Sequence, residues 1–380
     1  MLRTVTMEQS LPSSWYRRSE IFELERRQIF SREWYCVCRA SELAGPGSHR
    51  VVDVAGSSVL VLRNAQGDLR AFHNTCRHRG AQLCTPPGFV SHHAPLGGGV
   101  VGARTIVCPY HAWTYDLDGR LLRAPFLGRD DGFDASRMAL HAVAVGQWGG
   151  FVFVNLGEAP TDLAAAMATY QQRYERYPLA DLETAETLVY DVAANWKIIC
   201  ENYNECYHCG PVHPELCALV PAFRERGGAG LDWQRGIPHR PGADTFTRSG
   251  LSDRRSFPGL NADEQQRHKG ELIYPNLFIS LAREHVAAFI LEPLGATRTR
   301  ISCLFLFETY EMSRAQFCAA DAIEFWDVVN RQDWAICEAV QRGIASPRHG
   351  VGLLAPMEDW NLDIRRYVTE RIGDAAAQLP

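Results

Sequence analysis

Residues 195–214 read NWKIICENYNECYHCGPVHP. Trp196, Ile199, Cys200, Tyr203 and Tyr207 recur at three- and four-residue steps, which predicts a helix with one apolar face. Glu201, Glu205 and His208 recur at steps of four and three and fall on the other face. Gly210 and Pro211 are expected to stop the helix, because proline lacks an N–H and crowds the preceding turn. On an unbroken helix His208 and His213 would diverge. With the chain bent between them, both imidazoles can reach one metal ion. The same residues also fit a solvated polar face followed by a helix stop, so the rest of the chain has to decide.

The 380 residues allow two or three domains, and 46% hydrophobic with 22% charged residues is ordinary for a globular protein. A net charge of −5 argues against a general binder of nucleic acid or anionic membrane. No apolar run approaches the length of a membrane span, and residues 1–20 lack a signal-peptide core, so a cytoplasmic protein is expected. Twelve cysteines then read as buried small side chains and metal ligands rather than disulfides.

Upstream, Trp15, Ile21, Phe22, Ile29, Phe30 and Trp34 are spaced for a helix over 15–40. From Val51 the pattern turns to strands: Val59 to Leu62 and Leu69 to Phe72 flank a turn at Gln66-Gly67-Asp68, and Trp113 to Leu122 folds about Asp118-Gly119. The run Gly150 to Val154 closes this β-rich stretch. Downstream, 162–177 is read as helix and 224–269 as long loops over a site. Strands are expected over 272–281, 286–291 and 299–307, then a helix over 319–342. The expected fold class is α+β: a helical start (1–44), an all-β domain (45–155) and a helix-on-antiparallel-sheet domain (156–380).

Two clusters carry metal chemistry. Cys76-Arg77-His78 and Cys108-Pro109-Tyr110-His111 each place one Cys and one His on the loop following or ending a predicted strand. Two Cys and two His fit a structural zinc site. They also fit a Rieske [2Fe–2S] centre, with two thiolates on one iron and two imidazoles on the other, and the tight Cys-x-His loop favours the second. Zinc also has a claim on Cys206, Cys209, His208 and His213, but on a helix those cysteines face away from His208. Cys200, Cys217, Cys303, Cys318 and Cys337 are expected to pack inside. Gly97 to Gly102 spells G-x-G-x-x-G but precedes a strand instead of following one, so it is no dinucleotide site.

The segments CRHRG (76–80), CPYHAWTYDLDG (108–119) and NWKIICENYNECYHCGPVHPEL (195–216) resemble, in this order, those of the catalytic α subunits of Rieske non-haem iron oxygenases. The resemblance implies a [2Fe–2S] cluster on Cys76, His78, Cys108 and His111, and a mononuclear Fe(II) on His208 and His213. The 29 residues between His78 and Cys108 exceed the usual spacing of the family, and the extra length, 88–104, carries His92 and His93.

The third iron ligand is sought on the late helix, where Ile323, Trp326, Val329, Ile336 and Val340 define an apolar face that also holds Asp333. A carboxylate on a buried stripe is costly unless paired or metal-bound. NRQDWAICEAVQRG resembles the family's carboxylate-donating segment, which completes a facial triad of His208, His213 and Asp333. A buried salt bridge to an arginine is the other reading of Asp333. Glu205 stands one turn before His208 and can accept its free N–H. In the family an acid here bridges the iron site to a Rieske histidine of a neighbouring subunit, in a ring of three chains.

The resemblance thus implies an oxygenase that uses O2 and electrons from a separate NAD(P)H-dependent reductase, with or without a ferredoxin. ENYNECYHC and YPNLFIS look like the subgroup that hydroxylates or N-demethylates quaternary amines such as carnitine, glycine betaine and choline. The alternatives are an aromatic-ring hydroxylating dioxygenase and, outside enzymes, a zinc-stabilised binding protein.

Overall fold

The computed structural model describes residues 7–54, 56–84, 104–128 and 132–379. The stretch 88–103, with His92, His93 and the G-x-G-x-x-G letters, lies outside them. The chain folds as two compact units: Phe30–Met167, and the residues up to Ile29 together with those from Ala168 onward. The α+β reading holds, with each unit built on an antiparallel sheet.

In the unit Phe30–Met167, a six-stranded sheet runs Tyr35–Arg39, Phe151–Asn155, Ala142–Trp148, Leu69–His73, Ser57–Arg63, His49–Val54. A three-stranded sheet, Thr105–Val107, Thr114–Asp116 and Leu121–Arg123, sits in the same unit. Both expected hairpins are present. At Asp118-Gly119 the turn needs glycine: φ is +84°, and a Cβ there would lie 2.5 Å from the Phe72 ring. The helix expected over 15–40 is shorter. Helix α1 (Ser19–Glu25) passes into one wide turn, Arg26–Phe30, and Tyr35-Cys36-Val37-Cys38-Arg39 is a fully buried strand. Aromatic and β-branched residues there pair with Phe151–Val154, and sheet pairing overrides the helical spacing.

The second unit carries a sheet in the order Leu182–Val192, Arg298–Glu308, Val286–Gly295, Leu277–Leu281, Arg267–Ile273, Ile237–Pro238. The stretch read as one strand over 272–281 is two, folded back at Tyr274-Pro275-Asn276 so that Leu272 faces Phe278. Two short helices, α2 (Leu163–Arg173) and α3 (Trp196–Tyr203), precede the turns α4 (Cys209–Val212) and α5 (Pro214–Leu219). After α6 (Thr309–Met312) comes α7 (Ala320–Gly343), a long helix without proline or internal glycine, and then α8 (Asn361–Ala376). α7 packs on the sheet: Trp326 meets Phe289, Trp334 meets Tyr190, and Asn330 donates to the Tyr190 hydroxyl at 3.3 Å. Of the stretch 224–269 read as loops, 224–266 hold only short turns and the strand Ile237–Pro238, but Arg267, His268 and Lys269 already belong to the strand Arg267–Ile273. Among the described residues no helix is long and apolar enough to cross a membrane.

Candidate metal centres

The first centre sits on two loops with the same closure. The Cys76 carbonyl accepts from Gly80 N–H at 3.0 Å, and the Cys76 N–H donates to the Ala81 carbonyl at 2.8 Å. In the second loop Cys108 accepts from Ala112 N–H at 3.1 Å and donates to the Trp113 carbonyl at 2.8 Å. Each loop therefore turns back at a residue of positive φ, Gly80 (+76°) and Ala112 (+56°). The cysteines point inward and belong to a buried cluster with Phe72, Ile106, Trp113 and Tyr115. The histidines stand at the surface with ring centroids 4.7 Å apart, and His78 stacks on the Trp113 indole at 4.8 Å.

Hydrogen bonding from Cys108 outweighs burial and draws the Cys76 thiol down to about 5, helped by the Tyr115 hydroxyl at 3.3 Å. The same contact pushes the Cys108 thiol up, so the two sulfurs are neighbours. Among the described residues, only His208, His213 and Asp333 bring three ligand atoms within 4.8 Å of one another. The Cys/His set is thus spread wider than the shell of one tetrahedral zinc with bonds of about 2.0–2.3 Å. A pair of irons, sulfurs on one and imidazoles on the other, suits that spread.

The second centre departs from the helix expected of residues 195–214. α3 is capped by the Asn195 side chain, which accepts from Lys197 N–H at 2.9 Å, but ends at Tyr203. The reason lies in Glu205, whose Oε2 accepts the backbone N–H of Tyr207 and, at 3.1 Å, of His208. Those donors are lost to the helix ladder, and the chain turns. Gly210 and Pro211 do not stop a helix. They lie in the first turn of α4, where the missing proline N–H would have had no helical partner. The faces shift accordingly. Tyr207 is exposed, while Glu201 leaves the Glu205–His208 group and accepts from the Tyr16 hydroxyl at 2.5 Å. Beneath α3, Lys197 and Glu25 form a fully enclosed pair to which the Trp196 indole donates at 2.9 Å.

Asp333 is where its spacing on α7 put it, although the face is not the one expected. Ala322, Phe325, Trp326, Val329, Trp334 and Cys337 are the buried apolar positions, with Asn330 and Gln341 buried beside them, while Ile336 and Val340 are 37% and 43% exposed. Asp333 Oδ1 lies 2.9 Å from His213 Nε2 and 3.3 Å from His208 Nε2. Cis donors of an octahedral ion with bonds of about 2.1 Å stand about 3 Å apart, so two imidazoles and one carboxylate fit Fe(II) at this point. Both Nδ1 atoms face away and are held, His208 by Glu205 Oε1 at 2.5 Å and His213 by Gln332 Oε1 at 2.8 Å. Gln332 is in turn fixed by donating to Glu215 at 3.0 Å. No arginine stands against Asp333, which disposes of the salt-bridge reading among the described residues.

The electrostatics suit a cation. Burial alone would lower His208, but hydrogen bonds to Asp333, Cys209 and Glu205 push it up to about 12. Burial alone would raise Asp333, and hydrogen bonds from His208 and His213 hold it below the usual carboxylate range. Sequence reasoning missed Gln332 and Asn202, whose amide lies 3.3 Å from His208 Nε2. Gln332 was detectable as the neighbour of Asp333, while Asn202 carried no signal. Of the cysteines expected inside, Cys318 is exposed and the others are buried.

A cavity of about 260 Å3 opens on His208, His213 and Asp333. Its wall includes Tyr203, Phe223, Trp233, Phe246, Trp326 and Trp360. Tyr203 stacks on Phe278 at 4.3 Å and its hydroxyl donates to the Ile279 carbonyl at 2.9 Å, so it is packed as expected and lines the site as well.

Comparison with known proteins agrees with both centres. Residues 33–142 match the Rieske [2Fe-2S] domain and residues 179–374 the ring hydroxylating alpha subunit (catalytic domain). The chain is 30% identical over 384 residues to the glycine betaine monooxygenase oxygenase subunit of Pseudomonas aeruginosa, covering 93% of this chain and 86% of the relative. It is 31% identical to the carnitine monooxygenase oxygenase subunit of Acinetobacter pittii, covering 89% and 85%. Among solved structures, the quaternary ammonium Rieske monooxygenase CntA superposes with a TM-score of 0.75 at 26% identity, covering 96% of each chain. Naphthalene 1,2-dioxygenase from Rhodococcus shares the fold, with a TM-score of 0.72 at 18% identity over 97% of this chain and 95% of that one. A chain of this kind carries a Rieske [2Fe–2S] cluster and a mononuclear iron, and takes its electrons from a separate reductase. This protein belongs to the Rieske non-haem iron oxygenases, as a catalytic α subunit.

Proposed function

We propose that the chain hydroxylates a carbon bonded to the nitrogen of a small quaternary amine. The aromatic wall around the His208, His213 and Asp333 group is the observation that carries this reading. A quaternary ammonium has no hydrogen-bond donor, and ring faces hold it at about 0.5–2 kcal/mol each, more where water is excluded. The relatives named for glycine betaine and carnitine point the same way.

In this reading His208, His213 and Asp333 hold the iron, and Cys76, His78, Cys108 and His111 hold the cluster. Iron held by these three side chains would supply O2 activation. Glu205 and Gln332 fix the two ligand imidazoles, and the aromatic side chains keep water from the reacting carbon. One O2, two electrons and two protons convert an N-methyl group to N–CH2OH with release of water. The carbinol then breaks its C–N bond, giving formaldehyde, a proton and a tertiary amine.

With both groups bound, a ring of three chains would let the Rieske centre of one chain supply electrons to the iron site of its neighbour. Glu205, which grips His208 and is only 10% exposed, is the bridge. Tyr207, Ile336 and Val340 are exposed apolar side chains available to such an interface. CntA supports this, since its structure was described as giving insight into inter-subunit electron transfer.

The test is a screen with a surrogate reductase, following O2 uptake, product mass and formaldehyde. Coupled loss of a methyl group from trimethylammonium compounds is expected. Coupled hydroxylation of aromatic hydrocarbons, with no turnover of any amine, would overturn the reading and favour a ring hydroxylase.

A further inference from the structure

One motif of the sequence belongs to neither metal centre. Cys206 and Cys209 form a Cys-x-x-Cys pair around His208, and they are the only cysteines among the described residues that line the cavity. They are not a zinc knuckle, because among the described residues the one close group of three ligand atoms is that of His208, His213 and Asp333. Nor do they face away from His208, as they would on a helix. The chain turns here, with Cys209 N–H donating to the Cys206 carbonyl at 3.1 Å. Cys209 Sγ stands 4.0 Å from His208 Nε2, and the Cys209 side chain hydrogen-bonds that of Cys206. Nearby Cys217 instead donates to the Cys209 carbonyl at 3.3 Å. A turn closed in this way keeps its end Cα atoms within about 7 Å, a span that a disulfide can bridge.

The reaction itself brings an oxidant. When O2 takes up two electrons and two protons without transfer of oxygen to carbon, the product is hydrogen peroxide, formed in the cavity that the two thiols line. Cys206 is the first target. It is 8% exposed against 3% for Cys209, and it also lines a second cavity of about 180 Å3 beside Glu205 and Trp360. Its sulfur attacks one peroxide oxygen, water leaves, and a sulfenic acid remains. The Cys209 sulfur then attacks the sulfenic sulfur, a second water leaves, and the S–S bond closes. The two thiols lose two electrons and peroxide gains them. A reactive thiol beside a resolving one is the arrangement of redox sensors.

We propose that Cys206 and Cys209 are a dithiol switch: peroxide from uncoupled turnover joins them in a disulfide, which displaces His208 and shuts the iron site until a second dithiol reduces the bond by exchange. His208 lies inside the ring so closed. Bonding draws the two sulfurs to about 2.0 Å, and the Cys209 sulfur that moves is the neighbour of His208 Nε2, the nitrogen 3.3 Å from Asp333. The backbone N–H of His208, held by Glu205 at 3.1 Å, belongs to the same turn. Metal sites tolerate errors of about 0.2 Å in ligand distance, so pulling on this turn weakens the hold on iron. The inference rests on His208 as an iron ligand and does not depend on the substrate.

The test treats the holoenzyme with rising amounts of hydrogen peroxide that leave the [2Fe–2S] spectrum intact. Free thiols are then labelled, the peptide carrying residues 206–209 is weighed, and iron affinity is titrated. A peptide lighter by two hydrogens, unlabelled at Cys206 and Cys209, is expected, with iron bound about tenfold or more weaker. Dithiothreitol with Fe(II) should restore iron and O2 uptake. Cys206→Ser and Cys209→Ser should each give no linked peptide and no change in iron affinity that dithiothreitol reverses. Two thiols still open to label after peroxide, or oxidised beyond recovery by dithiothreitol, would overturn the inference. So would a linked peptide with unchanged iron affinity in a protein whose His208→Ala variant loses iron. If His208→Ala keeps normal iron, the ligand assignment itself fails and takes the inference with it. Should a serine variant not fold, the wild-type peptide mass and its recovery by dithiothreitol decide.

Discussion

In the unit Phe30–Met167 the four candidate ligands sit on two short loops, each closed by its own backbone hydrogen bonds about a residue of positive φ. In the other unit the three ligands come from different elements. His208 and His213 lie on a turn after α3, and Asp333 lies 120 residues further on, on α7. The first arrangement is local, so a few neighbouring residues dictate where each ligand points. The second exists only because α7 packs on the sheet through Trp326, Asn330 and Trp334. Loop geometry protects the first site from distant changes, whereas the second depends on side chains that steady its ligands.

The largest effects should come from removing one ligand in each region. Asp333→Ala should lose mononuclear iron and turnover, yet keep a reducible [2Fe–2S] chromophore. Cys108→Ala should lose the chromophore and keep mononuclear iron. Metal analysis with visible and electron paramagnetic resonance spectra separates the two. Near-normal iron and activity in Asp333→Ala would move the search to another carboxylate, beginning with Glu338.

Gln332→Leu tests how far the second site depends on its supports. The His213 Nδ1 contact at 2.8 Å is lost while the ligand itself remains. A fall of about 10–100-fold in iron affinity or activity is expected, as for partners of ligand imidazoles elsewhere. An iron titration with no shift would show that His213 needs no such partner.

Below α3 the comparison becomes one of pH. Burial pushes the Glu201 carboxyl up from 4.5 to about 7, against the opposing Tyr16 hydrogen bond and Lys197 charge. An acid raised in the folded state keeps its proton between those values while the unfolded chain releases it. Stability from this group is therefore lost as pH rises from about 4.5 to 7, by on the order of 3 kcal/mol. Glu201→Gln, which can still accept from Tyr16, should gain stability relative to wild type at pH 8 and not at pH 4. Parallel melting curves at both pH values would contradict this.

The smallest effect compares the two cluster loops with each other. Ala112 holds φ +56° where the first loop has Gly80 at +76°. A left-handed residue with a Cβ costs about 1–2 kcal/mol. Ala112→Gly should therefore stabilise the Rieske unit by about 1 kcal/mol, less its entropy cost, and Gly80→Ala should destabilise it by a similar amount. Nothing lies within 4 Å of a Cβ at Gly80, so the conformational cost acts alone there.

What was legible in the chain follows the same division. Cys76, His78, Cys108 and His111 were readable because local spacing is their geometry. His208 and His213 were readable as a pair, but for a partly wrong reason. The bend comes from Glu205 capturing two backbone N–H groups, which spacing alone does not show. Asp333 stood out as a charge on an apolar stripe, although Ile336 and Val340, used to draw that stripe, are exposed. The strand Leu182–Val192, with its Glu183, Thr184, Glu186 and Thr187, is mostly solvent-facing at a sheet edge and offers no apolar run. The wall of the cavity was not legible at all, because Phe223, Trp233, Phe246 and His268 come together from loops and a strand edge only after folding.

In the proposed function a Rieske centre on one chain serves the iron held by His208, His213 and Asp333 on another. Co-expressing a Cys108→Ala chain with an Asp333→Ala chain, each inactive alone, tests it directly. In a head-to-tail ring of three, every mixed ring has one junction that joins an intact Rieske centre to an intact iron site. With random mixing of equal amounts, about three quarters of rings are mixed and one junction in three works, so about a quarter of wild-type activity should return. No activity from rings shown to be mixed would contradict transfer between chains, and Glu205 would then be only the residue that steadies His208.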